Sequence, residues 1–496
     1  MGFGSTVPTL FMSANAAEKI SKPNIIFILA DDLGWAELGC YGNTFNETPH
    51  LDKLAQQGML FTDAYAAAPV CSPYRAALMT GQYPARIGIT DYLRPNTDEH
   101  LGLEHVTLAE MFKSAGYVTG MTGKWHLSGY KSSGAREEAL PDKHAFDEVM
   151  VSEKTGIGGG SYFHPYDRVD KSIKKVLPGR GEYLTDRLNY EAVQFIERHK
   201  DQPFFLYKSH YSVHTALKAK PDLLNHFASK AGAGKGRNPN RISRNNPYLA
   251  AMLKSIDEGV GMIMNKLQEL GIADNTLIVF TSDNGGESRV TKNGPLRAGK
   301  STLFEGGIRI PLVIKWPGNV KPASVCRTPT MNIDFYPTFV EVVGAKLSAR
   351  QRIDGVSILP LLQGEGISRD TLCWHYPLSK PHFLGGHSSG AIRSGQWKLI
   401  EFFEDQRLEL YNLAEDIAEK NNVAKEYPDK VRQLHQQLNA WRRGVGAKIP
   451  AGQAAASDTA RSIRSPIRKE SLIWNANGGM RSCVTGTIPR LWRGRH

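Results

Sequence analysis

The run Pro23-Asn24-Ile25-Ile26-Phe27-Ile28-Leu29-Ala30, closed by Asp31-Asp32, constrains the fold more than any other stretch. It is apolar without alternation and rich in β-branched residues, the mark of a strand buried on both faces in a parallel sheet. Ligands of open α/β sheets collect outside the carboxyl ends of the strands, so two carboxylates placed there predict a binding site. The same construction recurs three times. A helix over 107–115, closed by Gly116, leads to a strand over 117–122 and then Gly123-Lys124-Trp125-His126-Leu127. A helix over 182–200 precedes the strand Phe204-Phe205-Leu206-Tyr207 and the loop Ser209-His210-Tyr211-Ser212-Val213-His214. A helix over 247–270 precedes Leu277-Ile278-Val279-Phe280 and Thr281-Ser282-Asp283-Asn284-Gly285-Gly286. This alternation predicts an α/β fold with a doubly wound, mostly parallel sheet flanked by helices, its polar strand ends on one face.

Between these units, residues 50–58 read as a short helix and 59–68 as a connector. A long loop over 292–311 carries Leu296-Arg297-Ala298-Gly299-Lys300 and Glu305-Gly306-Gly307-Ile308-Arg309. Residues 311–316 read as a strand and 331–343 as a helix. The polar loops at 156–160 and 230–246 read as flexible or substrate-facing. A smaller C-terminal α+β subdomain is expected over 370–446: antiparallel strands within 391–400 and 408–412, covered by an amphipathic helix over 425–442. The resulting division is a possible leader remnant at 1–22, a catalytic domain at 23–369, the subdomain at 370–446 and a basic tail at 447–496.

At 496 residues the chain exceeds the size at which one core stops growing. Its formal charge of +12 suggests a polyanion binder, but residues 451–496 hold eight Lys/Arg against two Asp/Glu, half of the excess. That tail shows no recognisable nucleic-acid module, so a disordered end is expected and no nucleic-acid partner. The five cysteines, Cys40, Cys71, Cys326, Cys373 and Cys483, are scattered and odd in number, against a disulfide framework or a zinc cluster. No apolar run is long enough to cross a bilayer. Near the start, an apolar patch at 7–12 and Ser13-Ala14-Asn15-Ala16-Ala17 suggest a signal-peptide end, although no Lys or Arg precedes Lys19. Export to the periplasm or medium is the expectation.

Two constellations carry chemistry. In Pro69-Val70-Cys71-Ser72-Pro73-Tyr74-Arg75-Ala76-Ala77-Leu78-Met79-Thr80-Gly81, Pro73 suits the first turn of a helix and Gly81 its stop, which puts Cys71 at a helix N-terminus where an anion is favoured. Asp31, Asp32, Asp283 and Asn284 offer only oxygen donors on strand ends. Each pair alone reads more readily as a helix cap or turn; together they suit a hard divalent cation, Ca2+ before Mg2+.

The Cys-x-Pro-x-Arg run followed by Ala-Ala-Leu-Met-Thr-Gly resembles the maturation motif of type I sulfatases, and the resemblance extends from about residue 22 to 441. It implies an alkaline-phosphatase-like fold and a sulfate ester hydrolase. Cys71 would be converted to formylglycine by a formylglycine-generating enzyme, and its hydrated aldehyde would be the nucleophile. Asp31, Asp32, Asp283 and Asn284 would be the metal ligands, with the residue at 71 completing the site. Arg75 would fix the nucleophile, Lys124 and Lys300 would grip sulfate, and Asp283 would accept the hydroxyl proton. His214 with Lys300 would protonate the leaving alcohol, and His126 would take the proton that lets sulfate depart. His375, in Trp374-His375-Tyr376-Pro377, and Arg297 are further substrate candidates. The look is that of N-acetylgalactosamine-6-sulfatases and bacterial carbohydrate sulfatases, so a sulfated carbohydrate is the expected partner. Tyr74 departs from the family's usual Ser, and Thr215-Ala216 from its Thr-Pro. Rival readings are a phosphonate monoester or phosphodiester hydrolase of the same superfamily, and an inactive, metal-stabilised glycan-binding protein should Cys71 stay unmatured.

Overall fold

Strand β1 (Asn24–Ala30) is buried along its whole length and lies at the centre of the main sheet. Its side chains alternate between two cores, as the strand period of two requires. Ile26, Ile28 and Ala30 pack with Leu206 and Phe280 beneath the helices Leu184–Arg198 and Pro247–Glu269. Ile25, Phe27 and Leu29 pack with Phe205 and Val279 against the helices Leu108–Ser114 and Phe335–Val343. Covering both faces explains the unbroken apolar run, since each large side chain so buried contributes about 1.5–3 kcal/mol.

This computed structural model describes residues 22–451 except 95, 97, 132–133, 151, 153–161 and 165–180. The leader at 1–21, the Gly-rich loop at 156–160 and the tail beyond 451 lie outside the described residues.

The remaining strands are β2 (Met59–Tyr65), β3 (Val118–Gly123), the small pair β4 (Tyr130–Lys131) and β5 (Gly134–Ala135), β6 (Glu148–Met150), β7 (Phe204–Ser209), β8 (Thr276–Ser282), β9 (Arg309–Lys315), β10 (Ser324–Cys326), β11 (Thr330–Met331), β12 (Thr371–Tyr376), β13 (Ser389–Ser394), β14 (Trp397–Phe402) and β15 (Leu408–Asn412). The main sheet runs β10-β2-β9-β8-β1-β7-β3-β6, with β11 also paired to β2. All its pairings are parallel except those of β9, which is antiparallel to both β8 and β2. The doubly wound, mixed sheet is therefore as expected, and β8, β1, β7 and β3, whose ends carry the polar motifs, are consecutive neighbours.

Three local expectations change. The connector at 59–68 contains β2; Thr62-Asp63 interrupts its apolar run, and the ladder to β9 is irregular between Phe61 and Ala64. Asp63 is buried there by ion pairs to Arg309 and Arg393 at 3.0 and 2.8 Å. The helix expected over 331–343 starts only at Phe335, because Met331 ends β11. The 230–246 loop is tied down: Asn246 Nδ2 donates to Pro239 O and Ile242 O, and Gly234 N donates to Asn245 O.

The second sheet, β12-β13-β14-β15, is antiparallel throughout. One face packs through Cys373, Ile392 and Leu399 on Leu434 and Leu438 of the helix Pro428–Val445. The other face, with Trp374 and Tyr376, packs on Tyr65, Val70 and Ala77 of the main body, and Trp374 Nε1 donates to Ala66 O at 2.8 Å. A buried charge network crosses this junction. Lys398 Nζ lies 2.8 Å from Glu305 Oε1 and 2.8 Å from Glu419 Oε1. Tyr65 Oη donates to Glu305 Oε2 at 2.7 Å. Burial pushes both carboxyls up; Lys398 and Arg309 overcome it at Glu305, which is held down to about 2, whereas Glu419 stays raised to about 7.

Candidate active site

The four neighbouring strand ends converge because their backbones are tied to one another. Asp31 N donates to Ser212 O at 2.9 Å, Val213 N to Asp31 O at 2.7 Å, and Lys124 N to Ser209 O at 2.9 Å. Gly123 is required at the last of these crossings: its φ is +96°, and a Cβ would stand 1.9 Å from Ser209 O. Asp32 turns away from β1 with φ +60°, a left-handed conformation that Asp tolerates better than most residues. That turn lets Asp32 N donate to Asp283 Oδ1 at 3.1 Å.

Cys71 enters from the neighbouring helix Cys71–Thr80, of which it is the first residue, with Gly81 closing the helix at φ +68° as expected. It is 3% exposed. Arg75, one turn on, is fully buried; Nη2 donates to Asp283 Oδ2 at 2.7 Å and Nη1 to Ser209 Oγ at 2.6 Å and Lys124 O at 3.0 Å. Lys124 Nζ donates to Asp31 Oδ2 at 2.6 Å. Lys300 Nζ sits 2.7 Å from Asp32 Oδ1 and 2.8 Å from Oδ2. Asn284 Nδ2 donates to Asp32 Oδ1 at 2.8 Å. His214 Nε2 lies 3.7 Å from Asp32 Oδ2, and its Nδ1 pairs with Thr215 O.

Three buried carboxylates, Asp31, Asp32 and Asp283, thus place one oxygen each within 4.8 Å of one another. Three cations, Arg75, Lys124 and Lys300, face them. Burial raises the Asp31 carboxyl well above the usual range, reinforced by Asp283 and Asp32 and only partly opposed by Lys124. At Asp32 burial also acts upward, but Lys300, His214 and Lys124 overcome it and the net shift is down. Asp283 is likewise held low, by Arg75 first. Burial lowers the Lys124 and Lys300 ammonium groups, yet nearby Asp31 and Asp32 respectively, each followed by Cys71, drive both upward, which puts Cys71 within electrical reach of both lysines. Burial first, then Lys300, pushes His214 down to about 3.

Two acceptors in this cluster, Asp31 Oδ1 and Asn284 Oδ1, are buried without a hydrogen-bond donor. Orphaned oxygens of this kind are costly in a protein interior and are what a bound cation would satisfy. The donor set therefore fits a hard divalent metal.

Asp31, Asp32, Arg75, Lys124, His214, Asp283, Asn284 and Lys300 come together as the motifs predict, His126 follows β3 in a left-handed backbone turn at φ +57°, and two of the singled-out residues lie elsewhere. Trp374 and Tyr376 face the main body, so strand parity turns His375 to the other side, where it packs on Phe403 and pairs with Lys448 O at 2.9 Å. Arg297 donates to Tyr411 Oη and Glu419 O at 2.9 and 2.7 Å and lies 3.9 Å over the Phe304 ring. It fastens the Lys300 loop to the second sheet rather than facing the cluster. Tyr74 is fully buried in the core with Phe27 and Leu78. Ser209, which holds Arg75, was not singled out from the sequence; its signal was its position as the last residue of β7.

A family model described as Sulfatase matches residues 23–345, and one described as N-sulphoglucosamine sulphohydrolase, C-terminal, matches residues 298–444. The chain is 33% identical to a sulfatase of Formosa agariphila, covering 88% of this chain and 91% of that one. It is 30% identical to an N-acetylgalactosamine-6-O-sulfatase of Bacteroides thetaiotaomicron, covering 84% of this chain and 93% of the relative. Among solved structures, Ps i-CgsB in complex with k-i-k-neocarrahexaose superposes with a TM-score of 0.73 at 31% identity, over 88% of this chain and 96% of that one. With the cysteine, the acidic cluster and the lysines meeting at the strand ends of the expected sheet, these matches establish that the chain belongs to the sulfatase family, whose members hydrolyse sulfuric esters.

Proposed function

We propose that this sulfatase removes sulfate from carbohydrates with Cys71, Lys124, His126, His214 and Lys300 around the acidic cluster. The observation that carries the reading is the meeting of three buried carboxylates, with two donor-less oxygens among them and Asn284, beside a cysteine at a helix N-terminus. Asp31, Asp32, Asp283 and Asn284 would hold Ca2+, with Mg2+ as second choice. Bound there, the cation supplies Lewis-acid polarisation and a lowered hydroxyl pKa, and Cys71, matured to formylglycine by a generating enzyme, supplies the hydroxyl that attacks sulfur.

The other roles belong to this chain's own side chains. Arg75 fixes Asp283 by a 2.7 Å bond, so that Asp283, held ionised, can take the nucleophile's proton. Lys124 and Lys300 offer ammonium groups to the sulfate oxygens, where negative charge spreads as the ester breaks; losing one such donor typically costs roughly 3 kcal/mol. His214, whose Nδ1 is engaged by Thr215 O, presents Nε2 beside Lys300, and the two deliver the proton to the departing alcohol. His126, held at φ +57° just after β3, receives the proton that frees product sulfate. Sulfated polymers lie outside the cell, and a periplasmic or secreted location belongs to this reading.

Free sulfate is measured over defined sulfated mono- and oligosaccharides, an aryl sulfate and a phosphonate monoester, alongside the mass of the peptide spanning Cys71. Release of sulfate from sugars, with a peptide lighter than the thiol form, is expected. An unmodified thiol in an active preparation, or faster turnover of the phosphonate, overturns the assignment.

A further inference from the structure

Phe383 is 71% exposed, more than any other large apolar side chain among the described residues. It is nonetheless held in place. Its ring stacks on His382 with centroids 4.4 Å apart, and the Arg289 guanidinium carbon lies 5.6 Å from its centroid. The loop that carries it is closed by His382 N donating to Gly386 O at 2.8 Å and Leu384 N to His382 Nδ1 at 3.1 Å.

Both members of this pair are tied to the residues assigned to the leaving group. Gly386 presses on Ser301, next to Lys300, so closely that a Cβ there would stand 1.8 Å from Ser301 O. Arg289 Nε donates to Glu287, whose other oxygen accepts from Thr215 Oγ1 at 2.9 Å, next to His214. The Arg289 side chain is 46% exposed, and its two Nη groups have no partner among the described residues. On the same rim Tyr92 meets His382 edge-on at 5.7 Å, and Leu93 N donates to Ser72 Oγ at 3.0 Å, beside Cys71.

We propose that Phe383 and Arg289 form a second sugar subsite, which receives the saccharide unit attached to the one losing sulfate and selects a unit that bears its own anion, a carboxylate or a second sulfate. An exposed aromatic ring covers the C–H face of a pyranose, and a guanidinium whose two Nη groups are unengaged matches an oxyanion in bidentate fashion along that edge. This inference rests on the carbohydrate reading above.

The test uses the full, matured chain and four substrates: para-nitrophenyl sulfate, and matched sulfated tetrasaccharides whose neighbouring unit is neutral, a uronate or sulfated. Arg289→Gln is expected to lower kcat/KM for the anionic tetrasaccharides, relative to para-nitrophenyl sulfate, by about tenfold, mostly through KM. Arg289→Lys restores part of that loss, and Phe383→Ala raises KM for all three tetrasaccharides. The uronate and sulfate arms identify which anion the subsite takes. Equal factors for the aryl and anionic substrates, or no preference of the wild type for an anionic neighbour, overturn the proposal. Should aryl sulfate alone be hydrolysed, or nothing at all, the carbohydrate reading fails; calorimetric binding of the anionic tetrasaccharides then decides the subsite, with equal affinity of wild type and Arg289→Gln refuting it and a weakening of about tenfold supporting it.

Discussion

Chelation reports directly on the acidic cluster. Asp31 Oδ1 and Asn284 Oδ1 are buried without donors, and a buried acceptor left unsatisfied costs about 1–3 kcal/mol. Asp31 is in addition pushed well above its usual pKa by burial and by Asp283 and Asp32, so part of the folding energy opposes this arrangement until a cation enters. At a calcium concentration about 100 times the Kd, mass action alone adds about 2.7 kcal/mol of stability. The assay is thermal unfolding of the purified chain in chelator and in calcium, followed by intrinsic fluorescence. A rise in Tm with calcium is expected for the wild type, and a rise at least halved for Asn284→Ala, which removes one orphaned oxygen and the bond to Asp32. No shift in the wild type, or an undiminished shift in Asn284→Ala, would refute the reasoning.

Lys398→Met leaves Glu305 and Glu419 buried without their shared cation; breaking such a pair costs about 3–5 kcal/mol, read as a lower urea midpoint, and adding Glu305→Gln should return part of it. Glu419, raised to about 7, contributes stability that is fully present below the usual carboxyl pKa and fades as pH rises through about 7, so Glu419→Gln should flatten the fall in Tm between about pH 5 and about pH 8. His214→Ala should lower kcat by about 10²–10⁴ on alkyl sulfates and much less on para-nitrophenyl sulfate, whose leaving group needs no proton. Equal losses on the two substrates would remove His214 from that role.

The fold was readable wherever one strand's own apolar run announced burial on both faces, as in β1, β7 and β8. It was less readable where long-range partners supply the stability. Strand β2 carries Thr62-Asp63, polar in sequence and tolerable only because Arg309 and Arg393 arrive from more than two hundred residues away. The reversed direction of β9 left no mark in its composition. The site was legible because its carboxylates follow strands directly, and a strand end fixes where the next residue or two must go. His375 failed for a related reason: its motif gave the right strand, but which face it occupies depends on which neighbours cover each side of the small sheet. Ser209 was passed over because a serine that only braces an arginine has no signature of its own.

The contacts that hold Lys300 have a consequence for how this enzyme varies. Gly386 rests on the residue after it, Arg297 is anchored on Tyr411, and Glu305 is locked by Lys398, so the ammonium is aimed from a sheet that contributes no reacting atom. Exchanging that sheet between homologues would transplant the aim of the Lys300 ammonium along with it. Drift in its loops can therefore retune turnover while every residue of the acidic cluster stays the same.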